Sequence, residues 1–198
     1  MVGAALVPID FDWSHLPGVT DSKKLSPKKR EQIYDTAKAL QNEGRLFYVV
    51  AEESAAVIDQ QGIVPAIGKA LGRALDEVLK KASLNPRVPL GSTYPRPVLR
   101  GDEVLIKLDG GLKAPAAFLS QETIIKGDAK EPVIGLASIV AKVTRDRLMM
   151  QLDIEYPGYG LAVHKGYGTA VHQAAICSLG LSPLHRKSFC SNYDVESP

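Results

Sequence analysis

Cysteine is scarce in this sequence: Cys177 and Cys190 are the two that occur, and their spacing matches no metal-ligand pattern. A disulfide-stapled scaffold is excluded, and the usage suits a reducing compartment. Long apolar runs are also missing. The longest uncharged apolar stretch, Val133 to Ala141, is nine residues, against the about 20 that a helix needs to span a bilayer. No membrane association is expected. The opening MVGAALVPIDFDW carries no basic residue ahead of its short apolar run, so it does not read as a secretory signal, and a cytoplasmic location is expected. There is no G-x-S-x-G elbow and no Gly-rich phosphate loop, and His15, His172 and His185 lack the paired spacing of a zinc site. Hydrolase triads and nucleotide triphosphate binding lose support. Charge of one sign is not in excess either. With 24 Lys and Arg against 22 Asp and Glu the net charge is +2, too small to identify a nucleic-acid partner by itself.

What is present is a globular composition, 45% hydrophobic and 23% charged over 198 residues. That is enough for one compact domain with an appended helical piece. Residues 2–7 have strand character. Ser26 followed by Pro27 predicts a helix start and Gly44 its end, with Ile33, Ala37 and Leu40 as the buried stripe. Arg45 to Ala51 predicts a second strand, and Ser54 caps a short helical turn. A longer helix is expected from Ile63 to Ala82, although Pro65, Gly68 and Gly72 weaken its start. Prolines 86, 89, 95 and 97 impose a loop. Glu103 to Leu108 and Glu122 to Ile125 predict strands that end at Asp109 and at Gly127–Asp128. Val133 to Leu152 predicts a helix terminated by YPGYG, and Thr169 to Gly180 frames a last helix. The pattern is an α/β layer fold, a mixed sheet covered by helices. The expected organisation is a main domain over residues 1–155, a helical C-terminal extension over 156–190 and a frayed tail over 191–198.

Asp109 and Asp128 carry the first chemical signal, because both end apolar strands and neighbouring strands would bring their carboxylates together. Their repulsion can be relieved by protonation, by a cation such as Lys126, or by a divalent metal. Simple turn chemistry is the competing reading, since Asp before Gly is common in turns. The run DSKKLSPKKR at 21–30 packs five cations into ten residues and would suit phosphate oxygens, or merely a solvated face. Asp146, between Arg145 and Arg147, reads as an ordinary exposed salt-bridge residue. HKGYG at 164–168 sets a ring between glycines, where backbone can approach a ligand closely. His164, beside Lys165 and Tyr167, is the one histidine in such a setting, and the others read as surface or locally bonded residues.

Read together, GVTDSKKLS at 18–26, KLDGG at 107–111, KGDAKEP at 126–132, ASIVAKVTRDR at 137–147 and YPGYGLAVHKGYGT at 156–169 resemble bacterial ribonuclease HII, in order from residue 1 to about Phe189. The resemblance implies a ribonuclease H-like mixed β-sheet flanked by helices, with a helical C-terminal extension. It implies cleavage of the RNA strand of RNA–DNA hybrids and cleavage 5′ to single ribonucleotides in duplex DNA, leaving a 5′-phosphate. It also implies a two-metal Mn²⁺ or Mg²⁺ site with Asp109 and Asp128 as the third and fourth of four acids. Lys23 and Lys24 would hold backbone phosphates, Tyr167 would stack on a sugar at the RNA–DNA junction, and His164 and Lys165 would lie at the same nucleic-acid contact. A monomer needing no protein partner is expected.

One departure stands out. The family's opening strand, Asp-Glu-Ala-Gly-Arg-Gly, supplies two metal ligands and is central to the sheet, yet MVGAALVP aligns with the second strand. Asp10 and Asp12 fall in the loop that follows and do not replace the pair. Smaller departures are Glu131, where serine is usual, Gly135–Leu136 ahead of ASI, and an enlarged proline loop near 83–101. The leading expectation is an active hydrolase whose functional start lies upstream, with the chain as given impaired. A catalytically inactive hybrid-binding protein is the alternative. Another chain filling the place of the strand is a third.

Overall fold

The structure, a computed structural model, describes residues 1–84 and 104–191. The expected proline loop, the start of the strand at Glu103 and residues 192–198 of the tail lie outside the described residues. The chain divides into two compact units, one built from Met1–Glu52 and Ile67–Val143, the other from Glu53–Ala66 and Thr144–Pro198. Among the described residues no helix is long and apolar enough to cross a membrane.

In the first unit, β1 (Val2–Leu6) pairs antiparallel with β2 (Phe47–Ala51), in a register that sets Val2 opposite Ala51 and Leu6 opposite Phe47. Side chains alternate across this ladder, as the two-residue period of a strand requires. Val2, Ala4, Phe47, Val49 and Ala51 join one core with Leu71, Leu75 and Val78 of helix α3 (Ile63–Leu84). Ala5, Tyr48 and Val50 join the other, with Ile33, Ala37 and Leu40 of α1 (Pro27–Asn42) and Leu136, Ile139 and Val140 of α5 (Pro132–Glu155). The result is helices on both faces of strands, the expected α/β layering. Helix α1 starts as read: Ser26 Oγ accepts from the Lys29 amide at 3.2 Å and Pro27 occupies the first turn, where its missing N–H costs nothing. Pro65 is tolerated in the first turn of α3 for the same reason.

Strand β3 (Ile106–Asp109) pairs parallel with β4 (Gln121–Ile124), Asp109 opposite Ile124. Gln121 organises the connection between them. Its Oε1 accepts from the Ala114 amide at 2.9 Å and its Nε2 donates to the Phe118 carbonyl at 3.0 Å, while Phe118 is buried in the α3-side core. Short α4 (Gly127–Lys130) follows and leads into α5. Among the described residues β1 is bonded only to β2, and β3 only to β4. A cavity of about 380 Å³ lies between β1 and β3, lined also by Leu71 and Leu75 from α3 and by Ile134 and Ala137 from α5. Two short ladders therefore border a space of apolar character instead of forming one continuous sheet.

In the second unit, α2 (Ala55–Gln61) is capped by Ser54, whose Oγ accepts from Val57 N at 3.2 Å. Asp59 on this helix accepts from the amides of Lys187 and Ser188 at 2.8 and 3.0 Å. Helix α6 (Leu161–His164) and helix α7 (Ala170–Leu179), capped by Thr169, pack Leu161 and Ile176 around Tyr159. The Tyr159 hydroxyl donates to the Gly180 carbonyl at 2.9 Å.

Gly3 of β1 has no room for a side chain, because a methyl group there would run into the Ala137 carbonyl oxygen of α5. Gly3→Ala is expected to lower stability by about 1–3 kcal/mol, read by denaturant unfolding. An unchanged midpoint would show that β1 does not pack on α5 in this way.

Candidate active site

Asp109 is the last residue of β3, and Gly110 follows in the left-handed region with φ 61°. The turn aims the carboxylate at the start of α4, where Asp109 Oδ1 accepts from the Gly127 amide at 2.7 Å. Glycine at 127 leaves room for this approach. A Cβ there would lie 2.7 Å from Ile134 Cδ1 and 3.4 Å from Asp109 Oδ1. Asp128 comes next, in the first turn of α4. Burial, and then the charges of Asp109 and Asp21, push its carboxyl above the ordinary carboxylate value. Only Asp109 is a strand-end acid: β4 stops at Ile124, and Asp128, expected at a strand end, sits in the first turn of α4, where the Asp109 charge reaches it. Neither forms an ion pair among the described residues.

Asp21 is a neighbour that the sequence reading missed. Its Oδ1 accepts from the Lys23 amide at 2.9 Å, closing the turn that carries Lys23 and Lys24. That turn is held firmly. Arg30 Nη1 donates to the carbonyls of Ser22 and Leu25 at 2.9 and 2.7 Å, and the hydroxyls of Ser22 and Ser138 are 2.9 Å apart. Gly135 lets α5 approach both this loop and α4, since a Cβ would sit 2.9 Å from the Asp128 carbonyl oxygen and 3.1 Å from Val19. Lys23 is the cation whose charge lowers the Asp128 carboxyl, opposing the acids; Lys126, the cation named from the sequence, caps α4 in a left-handed conformation instead. Lys107 shares the strand face of Asp109 but is paired with Glu131 at 2.7 Å. Glu131 thereby neutralises a cation two residues from Asp109.

The donor chemistry, two hard carboxylates whose repulsion Lys23 only partly offsets, fits a divalent cation. It falls short of the two-ion set implied by the resemblance: among the described residues no group of three or more His, Cys, Asp or Glu side chains is arranged to hold a metal.

The 164–168 segment belongs to the second unit. Lys165 and Gly166 both have positive φ, 53° and 76°, so the chain turns sharply and leaves the Tyr167 ring 58% exposed. Arg145 Nη2 donates to the Lys165 carbonyl at 3.3 Å, a part that its place in an RDR run did not indicate. His164 is placed differently from the expectation of a nucleic-acid contact. It is buried, its Nε2 meets the Tyr159 carbonyl at 2.7 Å and its Nδ1 accepts from the Gly166 amide at 3.2 Å. With both ring nitrogens engaged by backbone, it shapes the turn from inside.

The profile of the family described as Ribonuclease HII matches residues 1–192. The chain belongs to the ribonuclease HII family. Among ribonuclease HII relatives, that of Dehalococcoides mccartyi is 39% identical over 191 residues, covering 96% of this chain and 77% of the relative. That of Coxiella burnetii is 40% identical over 174 residues, covering 88% and 73%. That of Geobacter metallireducens is 42% identical over 176 residues, covering 89% and 70%. The fold is similar to a chain in the PCNA:RNase HII complex from Archaeoglobus fulgidus, with TM-score 0.64 and 17% identity over 100% of this chain and 98% of that one. It is also similar to the ribonuclease H2 from Pyrococcus horikoshii OT3, with TM-score 0.53 and 21% identity over 93% and 84%. The α/β ribonuclease H-like expectation is borne out by both.

Two outcomes follow for the ribonuclease HII chain. Mn²⁺ at about ten times its Kd is expected to stabilise it by about 1.4 kcal/mol in a thermal melt, and Asp128→Asn is expected to abolish that gain; an equal gain in the variant would remove Asp128 from the cation site. Burial lowers the imidazoles of His172 and His185 below their ordinary value of 6.5. The unfolded chain then takes up protons first as pH falls, so their stabilising effect is complete above about 6.5 and declines below it, toward the lowered folded values. A melting midpoint that drops between pH 7 and 5, and drops less in His172→Asn, is the expected profile.

Proposed function

We propose that the chain is an endonuclease that hydrolyses the RNA strand of RNA–DNA hybrids and cuts 5′ to single ribonucleotides embedded in duplex DNA, leaving a 5′-phosphate. The observation that carries this reading is the Asp109–Asp128 pair. The Gly127 amide binds Asp109 at the end of β3, and the charge of Asp109 raises the carboxyl of Asp128 at the start of α4, in a chain of the ribonuclease HII family; this supports reading the two acids as one site. The activity is metal-dependent phosphodiester hydrolysis. Asp109 and Asp128 would hold the divalent cation, Mn²⁺ or Mg²⁺, which when bound supplies Lewis acidity toward the scissile phosphate.

The protein's own part is positioning. The Gly127 amide fixes one Asp109 oxygen and leaves the other for the cation. Lys23 and Lys24, exposed on a turn whose backbone is held by Arg30, would receive backbone phosphates. Glu131 keeps Lys107 from competing with the cation for Asp109. The exposed Tyr167 ring, on its left-handed turn, would stack on the sugar at the junction between ribonucleotide and DNA.

Full activity on this reading needs further acids. The apolar cavity between β1 and β3 has the right borders for an extended segment, since each neighbouring strand is paired on one side only among the described residues. A strand carrying Asp-Glu-Ala-Gly-Arg-Gly seated there would join the two ladders and bring carboxylates toward Asp109.

The test is cleavage of a DNA duplex holding one ribonucleotide, in Mn²⁺, by the chain alone, with a synthetic peptide of that sequence, and with the peptide fused ahead of Met1. The expected result is weak turnover alone and strong turnover with the strand supplied, abolished by Asp109→Asn with duplex binding retained. Binding without turnover in every form would favour the inactive hybrid-binding reading. Turnover that survives Asp109→Asn would remove that carboxylate from the reaction.

A further inference from the structure

Three histidines from successive turns of the chain, His164, His172 and His185, converge inside the second unit. The rings of His164 and His172 stack with centroids 4.1 Å apart, and His172 Nε2 lies 3.1 Å from His185 Nε2. All three are buried. Their hydrogen bonds fix the hydrogens on the rings. His185 Nδ1 accepts from the Ser182 amide at 3.0 Å, with the Ser182 hydroxyl at 2.8 Å and its carbonyl farther off at 3.3 Å. An amide N–H can only donate, so in the neutral ring the hydrogen sits on Nε2. That hydrogen points at His172 Nε2, which must then be the acceptor. The remaining hydrogen of His172 is therefore on Nδ1, 3.0 Å from the Tyr167 carbonyl oxygen, which can only accept. Donation runs one way, from Ser182 through His185 and His172 to Tyr167. Burial favours the uncharged rings that this order requires.

The end of the chain is informative. The Tyr167 carbonyl takes a second bond from the Thr169 amide at 2.8 Å, and the Tyr167 amide donates to the His164 carbonyl at 2.9 Å. Tyr167 is thus gripped at both backbone ends, directly after two residues in left-handed conformation. For Lys165, which carries a Cβ, that conformation is strained, so the turn persists because its surroundings impose it. A ring that must meet a sugar face gains from such a frame, because less conformational freedom is lost on binding.

We infer that His172, oriented by His185, is a positioning residue for Tyr167, holding the Gly166–Tyr167 turn so that the exposed ring is presented to a nucleotide sugar. The inference rests on the reading of Tyr167 as a junction-sensing ring. Its parts can be separated, because Gln and Asn each preserve one half of the His172 bonding. Gln at 172 reaches the position of Nε2 and can still accept from His185 but cannot donate to Tyr167. Asn reaches the position of Nδ1 and keeps that donor.

The experiment has two arms on the chain itself. Side-chain ¹⁵N–¹H correlation of the unmodified protein is expected to show His172 as the Nδ1–H tautomer and His185 as the Nε2–H tautomer. Fluorescence anisotropy then compares binding of a DNA duplex containing one ribonucleotide with binding of the all-DNA duplex. His172→Gln is expected to weaken the ribonucleotide duplex about fivefold and leave the all-DNA duplex unchanged; His172→Asn is expected to bind as the parent does. In a Tyr167→Ala background His172→Gln is expected to add nothing. An Nε2–H tautomer at His172 overturns the inference, as does equal weakening of both duplexes or an additive effect beside Tyr167→Ala. Should Tyr167→Ala leave discrimination intact while the tautomers are as stated, the stacking reading fails and the positioning role with it. If His172→Gln does not fold, the tautomers and the His172→Asn binding still decide.

Discussion

Two carboxylates held near one another, one of them partly withdrawn from water, are the constraint on the acid end of the first unit. Asp109 and Asp128 come from different elements, and bringing them together costs free energy that only a proton or a cation recovers. The fold meets that cost through backbone geometry. A 2.7 Å bond from the Gly127 amide draws Asp109 toward α4, and side-chain-free positions at Gly127 and Gly135 allow β3, α4, α5 and the 18–26 loop to close on one another. Lys23 offsets part of the negative charge. The remainder is what the proposed divalent ion would neutralise.

Around this centre the layering distributes tasks. One face of β1 and β2 packs on α3 and the other on α1 and α5, so α5 serves both as core and as the support behind the acid pair. The two short ladders border an apolar cavity. Asp109 is among the residues that line this cavity. In the second unit a buried polar cluster takes the place of a larger apolar core, with histidines bonded to backbone amides and carbonyls around the Tyr167 turn.

Local rules made much of this legible. Ser26, Ser54 and Thr169 were readable as caps because a hydroxyl before a helical period has one obvious use, and each accepts the expected amide. Asp109 and Asp128 were readable as a possible pair because each ends an apolar strand run. Asp21 was not, since its nearness to Asp128 depends on how α5 carries the 18–26 loop, a tertiary fact with no periodic trace. Lys126 was one example, by sequence adjacency, of a cation that could relieve the repulsion; the cation whose charge lowers the Asp128 carboxyl is Lys23, brought there by packing. The histidine cluster was hidden for the same reason: His172 and His185 are each unremarkable alone, and only the folded chain brings them against His164. His164 stood out correctly as unusual, but its setting is the inside of the turn and not its outer surface.

The most direct measurement is the carboxyl titration of Asp128 by ¹³C NMR in the metal-free protein, with and without Asp109→Asn. The account predicts a value above the ordinary 3.8 in the parent and a fall part of the way back in the variant, because burial and Asp21 persist. A titration at or below 3.8 in the parent, or one that ignores the loss of Asp109, would contradict the claim that these two acids share one site.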